Sequence, residues 1–105
     1  MAFNASATST NGGTATVTIP GIQNFIVKIY SVDGWTSGGS AQVTVTEAGT
    51  TRWLSPANWI GGSLTTKNWT PSPLLANSPG NAMTISASGQ GAMNTVTINV
   101  QADNN

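Results

Sequence analysis

The side chains able to carry acid–base or nucleophilic chemistry are few in this sequence. Its carboxylates are Asp33, Glu47 and Asp103, and it contains no histidine and no cysteine. A Ser–His triad or a Cys–His pair therefore cannot be assembled, and a zinc site lacks its usual ligands. A glycosidase needs two facing carboxylates, but the spacing of the three acids brings no two of them together. We therefore expect a protein that is not an enzyme and that holds no cofactor.

Two short motifs resemble ligand sites without meeting their requirements. Asp33-Gly34 is compatible with a calcium site completed by backbone carbonyls, but this dipeptide is far more typical of a plain turn. The glycine-rich Gly89-Gln-Gly91 is not followed by a helical pattern, which argues against a phosphate-binding loop. The sequence therefore predicts no metal site and no nucleotide site.

The side chains best suited to recognition are the four tryptophans, three of which lie between Arg52 and Trp69. Trp53 has a strand-like context and is expected in the core. Trp35 and Trp59 lie next to Gly or Asn in loop-like segments, where an indole ring can stack on a sugar or fill a pocket on a protein partner. The structural alternative is that these loops fold back and plug the ends of the domain, as is expected for Trp69.

Of these alternatives we favour a protein interface over a sugar platform. A carbohydrate site also needs charged or amide groups that fix the sugar hydroxyls, and the tryptophan-rich stretch has few acids to supply them. The candidate interface residues are Phe3, Trp35, Trp59 and Trp69.

The surface chemistry points to association with other proteins. The net charge is zero and only 6% of the residues are charged, against an average of about 25%. Nucleic acid and anionic membranes are not expected as partners, because both require clustered Lys and Arg. A neutral surface promotes association, so the composition is typical of a protein within an assembly or of a secreted polar β-domain.

Alternating apolar and polar residues dominate the chain from residue 14 onwards. The alternation, the β-branched residues and the Gly, Pro and Asn turns are typical of short strands, and no window has helical spacing with a cap. The predicted fold is all-β, a single antiparallel β-sandwich of jelly-roll type. The predicted strands are Thr14–Ile19, Phe25–Val32, Ser40–Thr46, Thr51–Leu54, Leu64–Thr70, Ala82–Ala87 and Asn94–Val100.

Three local features of this strand pattern are predicted in more detail. Phe25–Val32 is apolar on both faces, with Val27 and Ile29 opposite Tyr30 and Val32, and is expected to end at an Asp33-Gly34 turn. Ala48-Gly49 predicts a hairpin between the strands on either side of it. The last two strands are expected to form a closing pair joined by a glycine-rich turn.

The predicted domain organisation has three parts. Residues 1–13 are small and polar and are expected to form a flexible N-terminal arm. The β-sandwich occupies residues 14–101, and residues 102–105 form a C-terminal tail.

The order of these segments resembles that of small phage-encoded virion proteins in which a short β-sandwich or jelly roll decorates the head. The matching segments are VTIPG, the strand and turn TEAGTTRW, and the PL…SPGNA lead into two strands separated by a glycine turn. Together with the segments between them they cover most of residues 14–100.

The resemblance implies a structural virion protein, a capsid decoration or cementing protein on the outer capsid surface. Its partners would be the major capsid protein and further copies of itself, most often in a homotrimer, with Phe3 and the arm reaching a neighbour or the shell. A protein that binds the assembled shell and not its dissociated parts stabilises the shell by mass action.

Two alternatives remain open at this point. One is a carbohydrate-binding module, or the receptor-binding tip of a phage fibre, that uses exposed tryptophans. The other is a β-domain that has no partner and is monomeric.

Overall fold

The computed structural model describes residues 2–69 and 71–105. In this part of the chain two antiparallel sheets pack face to face, and no helix is present. The predicted all-β sandwich is therefore confirmed. The strands are β1 (Ala2–Ser9), β2 (Ala15–Ile19), β3 (Lys28–Thr36), β4 (Gln42–Glu47), β5 (Thr50–Leu54), β6 (Thr65–Asn68), β7 (Leu74–Leu75), β8 (Met83–Ser88) and β9 (Val96–Asp103).

The strand order is that of a jelly roll. Sheet A has the order β1-β9-β3-β6, and the short β7 also pairs with β3. Sheet B has the order β2-β8-β4-β5. Strands that follow each other in sequence mostly lie in different sheets, so the chain winds around the core as it does in this architecture.

The core is built from the inward side chains of both sheets. In β2, β4 and β8 every second residue is buried, because successive side chains of a strand point to opposite faces. Val17, Ile85 and Val45 lie in register across sheet B, and Val32 and Val100 do so across sheet A. In β9, Val96, Ile98 and Val100 are fully buried, as the alternation of apolar and polar residues in this segment predicts.

The segment predicted as a flexible arm is an edge strand over residues 2–9, and this prediction was wrong. β1 pairs antiparallel with β9 in continuous register along its whole length, while residue 1 lies outside the described residues. The low hydrophobicity of the segment concealed a period of two, because small inward side chains suffice at an edge strand. The inward residues that pack against the core are Phe3, Ala5 and Ala7.

The C-terminal residues predicted as a tail are also tied to the sandwich. β9 continues to Asp103, and Asn104 is buried, with its side-chain amide donating a hydrogen bond of 3.0 Å to the carbonyl of Pro20. The sandwich therefore extends beyond residues 14–101 at both ends.

β3 differs most from its prediction, because Asp33-Gly34 lies inside the strand and not at a turn. Gly34 is buried and faces Ile60, whose side chain occupies the space that a Cβ at this position would need. The glycine therefore serves close packing. As a consequence Trp35, predicted in a loop, is a strand residue.

A bulge at Tyr30 shifts the register between Ile29 and Ser31. It places both Ile29 and Val32 in the core, whereas the sequence pattern predicted that they lie on opposite faces. One extra residue in a strand re-aims the side chains that follow it, and a strict period of two cannot anticipate this.

The two predicted strand pairings have different outcomes. The hairpin of β4 and β5 is confirmed, and its two-residue turn has positive φ at Ala48 and Gly49, 49° and 82°, as hairpin turns favour. The closing pair is wrong, because β8 lies in sheet B and β9 in sheet A. The glycine-rich segment between them crosses from one sheet to the other.

Candidate ligand-binding face

Three of the four tryptophans pack against one another on one side of the sandwich, where β5 and β6 are the last strands of the two sheet orders. The Trp53 ring lies 5.4 Å from that of Trp59 and 5.1 Å from that of Trp69, both in edge-to-face geometry. This arrangement is favourable for aromatic pairs. All three rings are half-buried against the core, so the tryptophan cluster (Trp53, Trp59, Trp69) closes this side of the sandwich.

The cluster accounts for most of the indole in the tryptophan-rich stretch. Trp53, predicted in the core, lies at its margin. Trp69 contributes to closing the sandwich, and the Nζ of Lys67 lies 5.5 Å from the centroid of its ring, within the range of a cation–π contact. The interface role of Trp59 and Trp69 stays a prediction.

Glu47 lies next to the β4–β5 turn and is buried. Its carboxylate accepts hydrogen bonds from the backbone N–H groups of Asn77 and Ser78, the side-chain amide of Asn81 and the guanidinium of Arg52. Burial by itself raises the pKa of this group, but the four donors outweigh burial and lower the pKa from 4.5 to about 2. Glu47 therefore fixes the loop of residues 77–81 to the hairpin, and its oxygens are used internally.

The outer face of sheet A has a different character, because amides, a carboxylate and an indole lie among its hydroxyl side chains. In register across β1, β9, β3 and β6, one row contains Asn4, Gln101, Ser31 and Asn68, and the next contains Ser6, Asn99, Asp33 and Thr66. The third row contains Thr8, Thr97 and Trp35. We call these eleven outward residues the amide face.

Trp35 is the exposed indole of this face, with 42% of its surface accessible. Asp33 lies two residues earlier on the same side of β3 and is paired with Asn99 of β9. The face thus places an aromatic plane beside a carboxylate and amides. An amide offers two donors and an acceptor, and a carboxylate offers acceptors only, so the set complements a ligand rich in hydroxyl groups.

A depression with a volume of about 330 Å³ lies at the other end of the amide face. Tyr30, the bulged residue of β3, lines it together with residues of β1 and β9. The Tyr30 carbonyl accepts a hydrogen bond of 2.8 Å from the backbone N–H of Trp69, which holds the bulge against the tryptophan cluster. The lining residues are Ala2, Phe3, Asn4, Tyr30, Gln101 and Ala102.

The four predicted interface residues do not form one site. Trp59 and Trp69 both contact Trp53 in the cluster. Phe3 is half-buried against the core and lines the depression; it lies on an edge strand and not on a flexible arm, and its interface role stays a prediction. Trp35 lies at the opposite end of the amide face from Phe3.

The outer face of sheet B provides the contrast within the same molecule. Its outward positions on β2, β8 and β4 hold small hydroxyl side chains and one amide. Thr18, Thr84, Thr46 and Thr51 form a row across the four strands. We call this surface the hydroxyl face; its residues on these three strands are Thr16, Thr18, Thr84, Ser86, Ser88, Gln42, Thr44 and Thr46.

Most of the amide face is not recognisable as a candidate site from the sequence alone. The outward direction of Thr97, Asn99 and Gln101 follows from the alternation in β9. Two features have no signal in the sequence. One is the continuation of β3 through Asp33-Gly34, which brings Asp33 and Trp35 onto one face. The other is the bulge that places Tyr30 at the depression.

Two observations concern other kinds of site. Among residues 2–69 and 71–105, no three His, Cys, Asp or Glu side chains form a group able to hold a metal ion. The same residues include no helix long and apolar enough to cross a membrane.

Comparison with known proteins does not assign this chain to a family. No protein-family profile matches the chain, and no curated protein matches its sequence. Among solved structures, the chain is similar to the CBM36-1 domain of a multidomain xylanase from the hindgut metagenome of Trinervitermes trinervoides. The identity is 12% and the TM-score 0.48, with 97% of this chain and 83% of that chain covered.

Two further structures show the same kind of likeness. A carbohydrate-binding module CBM36 in complex with calcium and xylotriose has 14% identity and a TM-score of 0.48, with 98% of this chain and 87% of that one covered. The virus-like particle of the Macrobrachium rosenbergii extra small virus has 13% identity and a TM-score of 0.36, with 97% and 77% covered. With TM-scores below 0.5, these likenesses carry no argument about the family or the function of this chain.

Proposed function

We propose that this protein is a non-enzymatic carbohydrate-binding domain whose amide face contacts the sugar. The observation that carries the proposal is the position of Trp35, an exposed indole beside the carboxylate of Asp33, which is paired with Asn99 of β9. An accessible indole plane with hydrogen-bonding groups beside it is the combination that recognition of a sugar ring requires.

The chemistry of this face fits both the apolar C–H groups and the polar hydroxyl groups of a sugar ring. The C–H groups of a pyranose form an apolar surface that packs on an indole plane. Its hydroxyls both donate and accept hydrogen bonds, which amides such as Asn99 and Gln101 can match simultaneously. A small number of directional polar groups around an apolar platform is the usual design of a ligand site.

The charges on the face favour a neutral sugar. Asp33 is the charged residue among the eleven of the amide face, and Lys28, paired in register with Asp103, lies beyond the end of the face. The Nζ of Lys28 also donates a hydrogen bond of 2.6 Å to the carbonyl of Asn105. The acid nearest Trp35 is therefore not balanced by a neighbouring cation of the face, and it would repel uronic acids and sulfated sugars.

The test is a titration of the intact protein with soluble neutral polysaccharides such as xylan and hydroxyethyl cellulose. Tryptophan fluorescence and calorimetry report binding. We expect Trp35→Ala to abolish binding while its unfolding transition is retained. Phe25→Ala is the matched control, because Phe25 is also an exposed aromatic residue, with 47% of its surface accessible, but lies outside the amide face. Absence of binding across a broad glycan array, or equal loss in both variants, would overturn the proposal.

A second candidate is the virion role, because several large apolar side chains lie exposed on the surface. In this role the protein would bind the major capsid protein on the outer capsid surface, and homotrimers would bury the apolar side chains between chains. The exposed large apolar residues are Ile22, Phe25, Trp35, Leu54, Leu64, Leu75 and Met93.

Co-sedimentation with assembled capsids and light scattering test this second candidate. It requires a trimer or a capsid-bound fraction that weakens when Leu54 and Leu64 are replaced by Ser. A monomer that does not sediment with capsids would contradict it, and would leave the carbohydrate proposal unaffected.

A further inference from the structure

We infer that the amide face binds an extended, unbranched chain of sugar rings along β3, with Trp35 and Tyr30 as two separate platforms. This inference rests on the proposed function and adds the shape and length of the ligand. It predicts that one ring packs on Trp35, another occupies the depression at Tyr30, and the rings between them contact amides.

The distance between the two aromatic residues sets the length of the ligand. Trp35 and Tyr30 are five positions apart on β3, one of them the bulged residue, and span four to five residues along β9. This corresponds to about 13–16 Å, or roughly three sugar rings, at about 3.3 Å per residue. A disaccharide therefore cannot contact both platforms. A tetrasaccharide can do so.

The surface between the platforms is continuous and polar. Ser31 and Asp33 lie outward between Tyr30 and Trp35, and their partners across β9 are Gln101 and Asn99. Each ring of an extended chain would thus pass over at least one group that can bond its hydroxyls.

The bulge explains how Tyr30 comes to face the ligand. Strict alternation would place Tyr30 on the same face as Val32, which is the core face. With the extra residue, Ile29 and Val32 both lie in the core and Tyr30 lines the depression. Bulges frequently re-aim a side chain beside a functional site. The hydrogen bond from the N–H of Trp69 to the carbonyl of Tyr30 fixes the geometry.

Calorimetry measures the affinity for xylo-oligosaccharides and for cello-oligosaccharides of two, four and six rings. For the unchanged protein we expect a gain of about tenfold between the disaccharide and the tetrasaccharide, the effect of one added aromatic contact. In Tyr30→Ala this gain disappears while disaccharide binding is unchanged. Tyr30→Phe keeps the gain, because the ring and not the hydroxyl forms the platform.

Gln101→Ala provides an independent variant, since Gln101 is exposed, lines the same depression and is outward on β9. It is expected to weaken binding of the tetrasaccharide more than that of the disaccharide, because only the longer ligand reaches from Trp35 to the depression. Equal affinity for all lengths, or the full gain retained in both Tyr30→Ala and Gln101→Ala, would overturn the inference. These outcomes differ from failure of the proposed function, in which no oligosaccharide binds and Trp35→Ala changes nothing.

Discussion

The tryptophan cluster and the amide face place the same side chain in opposite environments. Trp53 contacts two other indole rings and lies half-buried against the core. Trp35 projects from a sheet face among Asp33, Asn99 and Thr97, and 42% of its surface is exposed. Both rings bring apolar area, but only the ring of Trp35 still offers its plane to a ligand.

The three tryptophans that lie close together in the sequence therefore serve packing in this protein, and their number does not indicate a recognition site. A jelly roll leaves an open side between the last strands of its two sheets, and large rings from β5, the following loop and the end of β6 fill this side. The proposed recognition surface instead depends on two separate aromatic residues, Trp35 and Tyr30, among groups that form hydrogen bonds.

The largest expected effect on stability is that of Trp53→Ala. Trp53 is the central ring of the cluster, so its removal leaves a gap between Trp59 and Trp69. We expect the free energy of unfolding to fall by about 3 kcal/mol, the lower end of the range for large-to-small aromatic substitutions, because the ring is only half-buried. Urea unfolding followed by circular dichroism measures this value.

The affinity of the folded Trp53→Ala fraction for polysaccharide is the control in that experiment. Unchanged affinity would sharpen the contrast between cluster and face. A loss of affinity larger than the loss of folded protein would show that the cluster belongs to the binding site.

The second effect concerns Glu47, which is also used for packing and not for recognition. Glu47→Gln places an amide N–H opposite the donors of the 77–81 loop, and we expect a loss of about 1–3 kcal/mol in the free energy of unfolding. Because the pKa in the folded state is about 2, below the ordinary 4.5, the carboxylate stabilises the fold above pH 4.5. This contribution is lost as the pH falls through about 2.

Urea unfolding at neutral pH and at a pH near the folded-state value checks the sign. The difference in stability between the native protein and Glu47→Gln should shrink on acidification. A difference that stays constant or grows would mean that the hydrogen bonds to the carboxylate do not control its ionisation.

The fold was predictable where apolar and polar residues alternate along a strand. The hairpin at Ala48-Gly49 and the inward side of β9 follow from period two and turn chemistry. The N-terminal strand was not predictable, because its small side chains bury little apolar surface. Its partner, β9, is also almost the whole chain length away in sequence. The assignment of β8 and β9 to different sheets depends on tertiary packing, which no local pattern encodes.

The candidate site was less predictable than the fold for two physical reasons. Gly34 has the sequence signature of a turn, but its missing side chain makes room for Ile60, a contact between residues distant in sequence. The bulge at Tyr30 adds one residue to β3, so the residues before it and after it point to the opposite faces from those that strict alternation predicts for one continuous strand. Both features decide where Trp35 and Tyr30 point, and both follow from packing and not from composition.

The smallest expected effect on stability is that of Trp35→Ala, the variant with the largest expected effect on binding. Trp35 is more exposed than the half-buried Trp53 but part of its surface is covered, so we expect the free energy of unfolding to fall by only about 1 kcal/mol. Thr84→Ala, on the hydroxyl face, is the control substitution of an outward strand residue and should leave the affinity unchanged. If Trp35→Ala destabilised the fold as strongly as Trp53→Ala, its ring would be a structural element, and the contrast between the two regions would fail. Intact folding with lost affinity would instead assign the exposed indole to the ligand, because no other property of the molecule then changes with it.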